Sequence, residues 1–458
     1  AGYRQLLFFS GRNLNMFVNF LWHFHQPIYR HPLTGEYLLP WVNFHTTRNY
    51  WQMARLIEES EFPCAVNFVP CLLEQIKDYQ SQSARDPVLE ALIKPAAKLS
   101  AEEISRLKRF FPTVAAEPSP DHLQEKVLQS FFSPLISPEK REKNELLNLR
   151  QEIFSDLFNY FQRLSQKKIV ELTVSPYYHA LLPLLIDLSQ ARFEAPDLPD
   201  FKHREDASWQ LQTSREYFQQ IFNFLPAGLW PSEGALSQAA CEEIASAGFH
   251  LTFTDEHLLW KSLRAGPDRQ HLYQPYRCGG TNVFFRDREL SDLIGFEYQR
   301  WPAEVAVADF LRRLEDRART SGEKAICSII LDGENPWGGY PNNGVDFLRL
   351  LFSRINASPH LQPCRPSDYL DEHRARKSLN LPAGSWMSGF FKWVGHPAKV
   401  EAWKKLAEYR SKYGFSRPMA VAEGSDWFWW AGETEEKEFE TLFLSYLQEA
   451  SQIGEKNV

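Results

Sequence analysis

Seven short strand-forming runs recur along this chain, with helical stretches between several of them. The runs are 16–22 (MFVNFLW), 65–69 (AVNFV), 169–175 (IVELTVS), 228–230 (GLW), 250–253 (HLTF), 283–286 (VFFR) and 326–331. Helical patterns follow at 46–59, 211–222 and 237–247. Strands alternating with helices imply a parallel sheet, because parallel neighbours need a crossover between them. No two of the seven are joined by a two-residue hairpin link. That favours a barrel, or an incomplete barrel, over separate sheets. At 458 residues and 43% hydrophobic content, the chain has ample material for the core this requires.

Two regions break the rhythm. Residues 79–167 are rich in Lys, Glu, Gln and Pro, and carry Leu146, Leu149, Ile153, Leu157, Tyr160, Phe161 and Leu164 at helical spacing. They predict an inserted helical region, a cap beside the barrel mouth. After about residue 366 the strand pattern stops, and 397–412 and 435–452 are amphipathic. The expected division is a barrel domain over 16–365 and a C-terminal helical domain over 366–458 that completes the cleft.

Charge and cysteine usage narrow the partners. The net charge is −7 with no long basic run, which argues against nucleic acid and anionic membrane. No run of 18 apolar residues exists to span a membrane. The six cysteines, at 64, 71, 241, 278, 327 and 364, form no CxxC pair. They read as free thiols of a reducing compartment, and so place the chain in the cytoplasm. Residues 1–15 lack a signal pattern, and Met16 is the expected start. Asn356-Ala357-Ser358 is then a chance glycosylation sequon. Nothing in the sequence asks for a cofactor.

The stretch 325–340 (AICSIILDGENPWGGY) carries the chemistry. An apolar run ends abruptly in Asp332-Gly333-Glu334 and a loop rich in Gly, Pro and Trp. A buried strand that delivers a carboxylate into such a loop is a way to build an active site at a barrel mouth. The run at 228 does the same, ending in Trp230-Pro231-Ser232-Glu233-Gly234. Glu233 and Asp332 could therefore face each other across the mouth, and two facing carboxyls are the minimum for glycoside hydrolysis. A retaining enzyme needs them about 5–5.5 Å apart. His23 and His25 alternate in register at the end of the first run, so both project from one face. They suit either metal ligation or hydrogen bonding to a substrate. Asp255, Arg286, Asp287 and Asp292 follow the fifth and sixth runs. An arginine there would keep a nucleophilic carboxylate ionised. The three aspartates equally suit helix N-caps. The 14 tryptophans serve core filling and sugar stacking alike. A metal-dependent hydrolase built on His23, His25 and an aspartate, and a polysaccharide-binding protein without turnover, are the competing readings.

Five segments, in order, resemble the motifs of glycoside hydrolase family 57. They are His25-Gln26-Pro27, 171–179 (ELTVSPYYH), 228–237 (GLWPSEGALS), 330–337 (ILDGENPW) and 422–430 (AEGSDWFWW). Their form is closest to the amylopullulanase and α-amylase branch. The resemblance implies an incomplete (β/α)7 barrel with a C-terminal helical domain, and a retaining mechanism on α-glucans. It puts the nucleophile on Glu233 and the acid/base on Asp332, with His23 and His25 lining the subsite of the attacked glucose. The segments 384–386 (GSW) and 392–396 (KWVGH) are also similar to the family, which makes Trp386, Trp393 and His396 expected sugar contacts. Trp230, Asp255, Arg286, Trp337, Asp426 and Trp427 complete the expected substrate-binding set. Amylopullulanases carry long C-terminal extensions, so amylase activity is expected before pullulan debranching. A glucanotransferase or branching enzyme would use the same site. As general acid, Asp332 is expected in a more apolar setting than Glu233, with Trp337 as its wall. Glu334 is open to a role in the site or in the loop. Oligomeric state is not legible.

Overall fold

The structure, a computed structural model, describes residues 16–263, 267–322, 324–433 and 437–456. The expectation for residues 1–15 lies outside them. Ten strands form one sheet: β1 (Met16–Phe24), β2 (Cys64–Phe68), β3 (Val170–Val174), β4 (Gly228–Leu229), β5 (Leu251–Asp255), β6 (Tyr276–Cys278), β7 (Thr281–Arg286), β8 (Ile326–Asp332), β9 (Leu361–Pro363) and β10 (Lys377–Ser378). Seven of them run parallel in the order β7-β5-β4-β3-β2-β1-β8. Arg286 of β7 pairs with Ser328 of β8, which closes the ring. The fold is a closed seven-stranded β/α barrel with a helical C-terminal region.

The pleat decides which side chains reach the site. Leu21, Trp230, Phe253, Ile326 and Ile330 meet in an inner apolar cluster. Period two from Leu21 puts His23 on the inner face, and period two from Ile330 does the same for Asp332. Register then sets these two side by side, since His23 pairs with Asp332 across β1 and β8. Alternate residues such as Phe20 and Trp22 point outward, into the larger core under the helices.

One strand lies outside the seven expected runs, and one expectation is corrected. β6 and β7 are an antiparallel hairpin joined by Gly279-Gly280, a two-residue link. Both glycines have positive φ (57° and 103°), as a tight hairpin turn of matching twist demands. The excursion adds a strand outside the ring, so the parallel order survives it. Strands also continue past residue 366, because β10 pairs with β6.

The inserted region is helical, with Pro87–Ile93, Ala101–Phe110, Pro120–Ser130 and Lys143–Gln166 as its main helices. Asp86 caps the first, accepting from the N–H groups of Val88 and Leu89. Ser100 and Glu103 form a capping box on the second. The C-terminal helices are Pro397–Tyr413, Arg417–Ala422, Ser425–Trp430 and Lys437–Lys456. Trp403 of the first stacks on Phe428 of the third at 3.9 Å, which holds the short third helix in place. Low on the barrel, Glu171 of β3 accepts from the backbone N–H and hydroxyl of Ser367, tying down the helix Pro366–Glu372. No helix among the described residues is long and apolar enough to cross a membrane. All six thiols are buried and free.

Candidate active site

Glu233 sits just beyond β4 with φ 57°, a left-handed conformation that is strained for a residue with a Cβ. Strain of this kind persists where the surroundings over-determine it. Here the backbone N–H of Trp386 donates to the Glu233 carbonyl at 3.1 Å, and the Trp386 indole N–H donates to its Oε2 at 2.9 Å. Asp332 ends β8, and Asn335 Nδ2 donates to its Oδ2 at 2.8 Å. Gly333 follows, and its N–H donates to the His23 carbonyl. A Cβ on Gly333 would lie 2.1 Å from the Phe24 ring, so only glycine lets β8 turn this close to β1.

Burial raises the pKa of both carboxyls. Glu233 is pushed well above the usual range, first by burial and then by the charges of Asp426 and Asp332. Asp332 is raised as well, but Asn335, His25 and Arg286 pull it back. The expected contrast is therefore reversed in the free site: Glu233, with no arginine beside it, is the more disfavoured carboxylate. The arginine expected to serve the nucleophile acts on Asp332 instead.

Three imidazoles stack behind these acids. His25 lies 3.8 Å from His179, ring centre to ring centre, and His23 Nε2 is 3.1 Å from His179 Nε2. Asn67 Oδ1 holds His23 Nδ1 at 2.7 Å, and Ser425 Oγ holds His179 Nδ1 at 2.9 Å. Burial lowers His23 to about 3 and His179 well below its usual value, so both rings are neutral. His25 Nε2 meets both carboxylate oxygens of Asp426 at 3.0 Å. His25, His179 and Asp426 also offer ligand atoms within 4.8 Å of one another, a geometry that would suit a metal ion. His179 and Ser425, absent from the expected set, thus belong to the site. The signal for His179 lay in the 171–179 segment. Its loop position beyond β3 and its positive φ hid the direction of the ring.

Asp255 is fully buried, and it N-caps the helix Glu256–Ser262 through the His257 N–H. It also holds two guanidiniums, Arg288 Nη2 at 2.7 Å and Arg286 Nη1 at 3.3 Å. Arg288 in turn donates to the Trp386 carbonyl and to Ser388 Oγ. Asp255 therefore acts on the site through Arg288 and Trp386, behind any surface a sugar would touch. Arg286 reaches Asp292 and lies over the Trp386 ring at 5.7 Å. Asp287 is an N-cap as expected, whereas Asp292 closes its helix and caps nothing there.

Several expected sugar contacts prove to be supports. Trp230 is fully buried against Trp386 and His23. Trp337 is buried beneath the Asp332 loop, donating to the Gly333 carbonyl at 2.7 Å and packing on Trp22. It braces the loop from below and is no wall to Asp332. Trp393 is buried against Trp429, and Trp427 donates to the Val421 carbonyl. His396 is exposed and N-caps the helix Pro397–Tyr413. Trp386 is only half buried and lines a groove beside Asp332. Glu334 is buried and accepts from the His25 N–H and Gln26 Nε2, which makes it a tie between the β1 and β8 loops.

Solved structures share this architecture. A branching enzyme from Thermococcus kodakaraensis superimposes with a TM-score of 0.69 at 16% identity, over 96% of this chain and 90% of that one. An α-amylase from Thermotoga maritima gives 0.66 at 15% identity, over 97% and 93%. A 4-α-glucanotransferase from Thermococcus litoralis gives 0.63 at 16% identity, over 96% and 60%. At these identities the likeness is one of fold. No curated protein matches the chain. The family model for glycosyl hydrolase family 57 matches residues 19–382, most of the chain, and the chain belongs to that family.

Proposed function

We propose that this enzyme cleaves α-1,4-glucosidic bonds of starch- or glycogen-type glucans and maltooligosaccharides by double displacement. The observation that carries the reading is the pair of part-buried carboxyls at one rim of the barrel, just beyond β4 and at the end of β8, with the Asp332 charge acting on Glu233. Glu233 is the nucleophile. The Trp386 indole N–H fixes one of its oxygens, leaving Oε1 for the anomeric carbon. Its raised pKa falls when positive charge develops at that carbon, so the carboxylate is stabilised most in the transition state. Asp332 gives a proton to the leaving glucosyl oxygen as general acid, then acts as base in the second step.

His23, His25 and Asp426 line the subsite of the attacked glucose. His25 Nδ1 is buried with no hydrogen-bond partner among the described residues, which leaves it for a sugar hydroxyl. The solved neighbours include an α-amylase, a branching enzyme and a glucanotransferase, which keeps the substrate class at α-glucans. A transferase on the same site is the second reading, favoured by the groove beside Asp332. The helical region after residue 365 completes the cleft through Trp386 and Asp426, and the six free thiols support a cytoplasmic location.

Product analysis on amylose, pullulan and maltooligosaccharides tests the proposal. The wild type should release products of retained α-configuration. Glu233→Gln should abolish turnover, and Asp332→Asn should lower it by about 10²–10⁴-fold on native glucans. Inverted products, or undiminished cleavage by Glu233→Gln, would sink it.

A further inference from the structure

A strained turn follows the Asp332 loop. Asn342, Asn343 and Gly344 succeed one another with φ 51°, 51° and 75°, all in the left-handed region that residues with a Cβ rarely enter. Asn343 is buried, and both ends of its amide are bonded. Its Oδ1 accepts from Arg48 Nε at 2.9 Å, and its Nδ2 donates to Asn49 Oδ1 and to Gln52 Oε1, each at 3.0 Å. Its carbonyl accepts from Gln52 Nε2 at 2.8 Å. An arginine can only donate, so Arg48 fixes which way the Asn343 amide points.

Two supports run from this turn to the acid. The polar one passes through Asn49, whose Nδ2 donates to the Glu334 carbonyl at 3.4 Å. The apolar one passes through Gly344, where a Cβ would lie 2.6 Å from the Trp337 indole, and Trp337 donates to the Gly333 carbonyl. Gly333 and Glu334 are the residues that follow Asp332. On its other side the turn is anchored to the inserted region. Arg48 Nη1 donates to the carbonyls of Ser130 and Phe132 at 2.6 and 3.3 Å. Thr47 Oγ1 donates to the Phe131 carbonyl at 2.8 Å, and Ser133 Oγ to Gln52 Oε1 at 2.7 Å. Arg48 and Asn49 sit in a π-helical turn, Thr46–Tyr50, a local distortion that is common at functional sites.

We infer that Asn343 is a positioning residue for Asp332, and that the inserted helical region acts on the acid/base through Arg48 and Asn343. The inference rests on the proposed function, which makes Asp332 the proton donor. A general acid must stand within hydrogen-bond reach of the leaving oxygen, and a displacement of about 1 Å can cost about 10²-fold in rate. A buried polar network whose members are paired is rigid, and so can hold that tolerance across a loop.

The test compares two donors. Maltoheptaose needs its leaving oxygen protonated, whereas α-maltosyl fluoride loses fluoride without a proton donor. For each, kcat/KM reports the first step alone, so the later role of Asp332 as base does not enter. Asn343→Gly keeps the left-handed backbone accessible and removes the amide. It should lower kcat/KM on maltoheptaose about ten-fold and leave that on α-maltosyl fluoride within about two-fold. If Asn343→Gly fails to fold, Arg48→Lys carries the same comparison, with an expected loss of about three-fold on maltoheptaose alone. Equal falls on both donors, or no fall on either, overturn the positioning role. Asp332→Asn is read beside these variants. Loss on maltoheptaose with fluoride release preserved upholds the acid whatever Asn343 does, and equal loss on both donors overturns the role of Asp332 and this inference with it.

Discussion

One indole nitrogen does much to define the Glu233 carboxylate. Trp386 donates to Glu233 through its ring and its backbone, and the bond to the carboxylate is the first influence that lowers the Glu233 pKa. Trp386→Phe keeps the ring and loses that donor. The carboxylate becomes harder to form, so the acid limb of kcat/KM should move to higher pH by about one unit, as a pH–rate profile would show. A limb that stays in place would mean that the bond is not made in the working enzyme. Asp255 lies one step further back. Asp255→Asn leaves two close guanidiniums beside a neutral amide in a buried setting, and should cost about 3 kcal/mol in denaturant unfolding. Lost stability with an unmoved pH profile would separate its role from that of Trp386. These chains of contact were only partly visible in the sequence. Asp255 and Arg286 stood out by position, but Arg288 did not, because which arginine turns inward depends on strand register and not on neighbouring residue types.

At the scale of elements, strand period and loop composition go far and then stop. The alternation in 16–25 and the apolar run 325–331 identify β1 and β8, and pleating alone brings His23 and Asp332 to the inner face. What the sequence does not reveal is which side of a loop a tryptophan faces. Trp337 was legible as a loop residue, yet it points into the core beneath Gly333. The glycine is the critical position of that turn. Gly333→Ala would set a methyl 2.1 Å from the Phe24 ring and displace both acids of the loop. It should lower stability by about 1–3 kcal/mol and activity with it, measured by thermal unfolding and glucan turnover on one preparation. The short β6–β7 hairpin was hidden for the opposite reason: three residues of strand carry too little pattern to register against their surroundings.

For the molecule as a whole, the buried Glu171 beneath the site gives stability a pH dependence. Burial raises its pKa from 4.5 to about 7, so between these values the folded chain holds a proton that the unfolded chain releases. This contribution is therefore lost as pH climbs from 4.5 to about 7, by about 2–3 kcal/mol in all. Glu171→Gln should flatten that part of a stability–pH curve, and an unchanged slope would assign it to other groups. The barrel itself was legible because every parallel strand repeats the same local pattern. The resemblance named both His25 and Asp426, but no local pattern paired them, because they lie on segments with no sequence relation. His25 and Asp426 meet across 401 positions of chain. That separation has a consequence for biosynthesis. A ribosome that has delivered all seven barrel strands has still not delivered Asp426 or Ser425, so His25 and His179 wait without their partners. The site is thus completed late, when the helix that carries Ser425 and Asp426 docks.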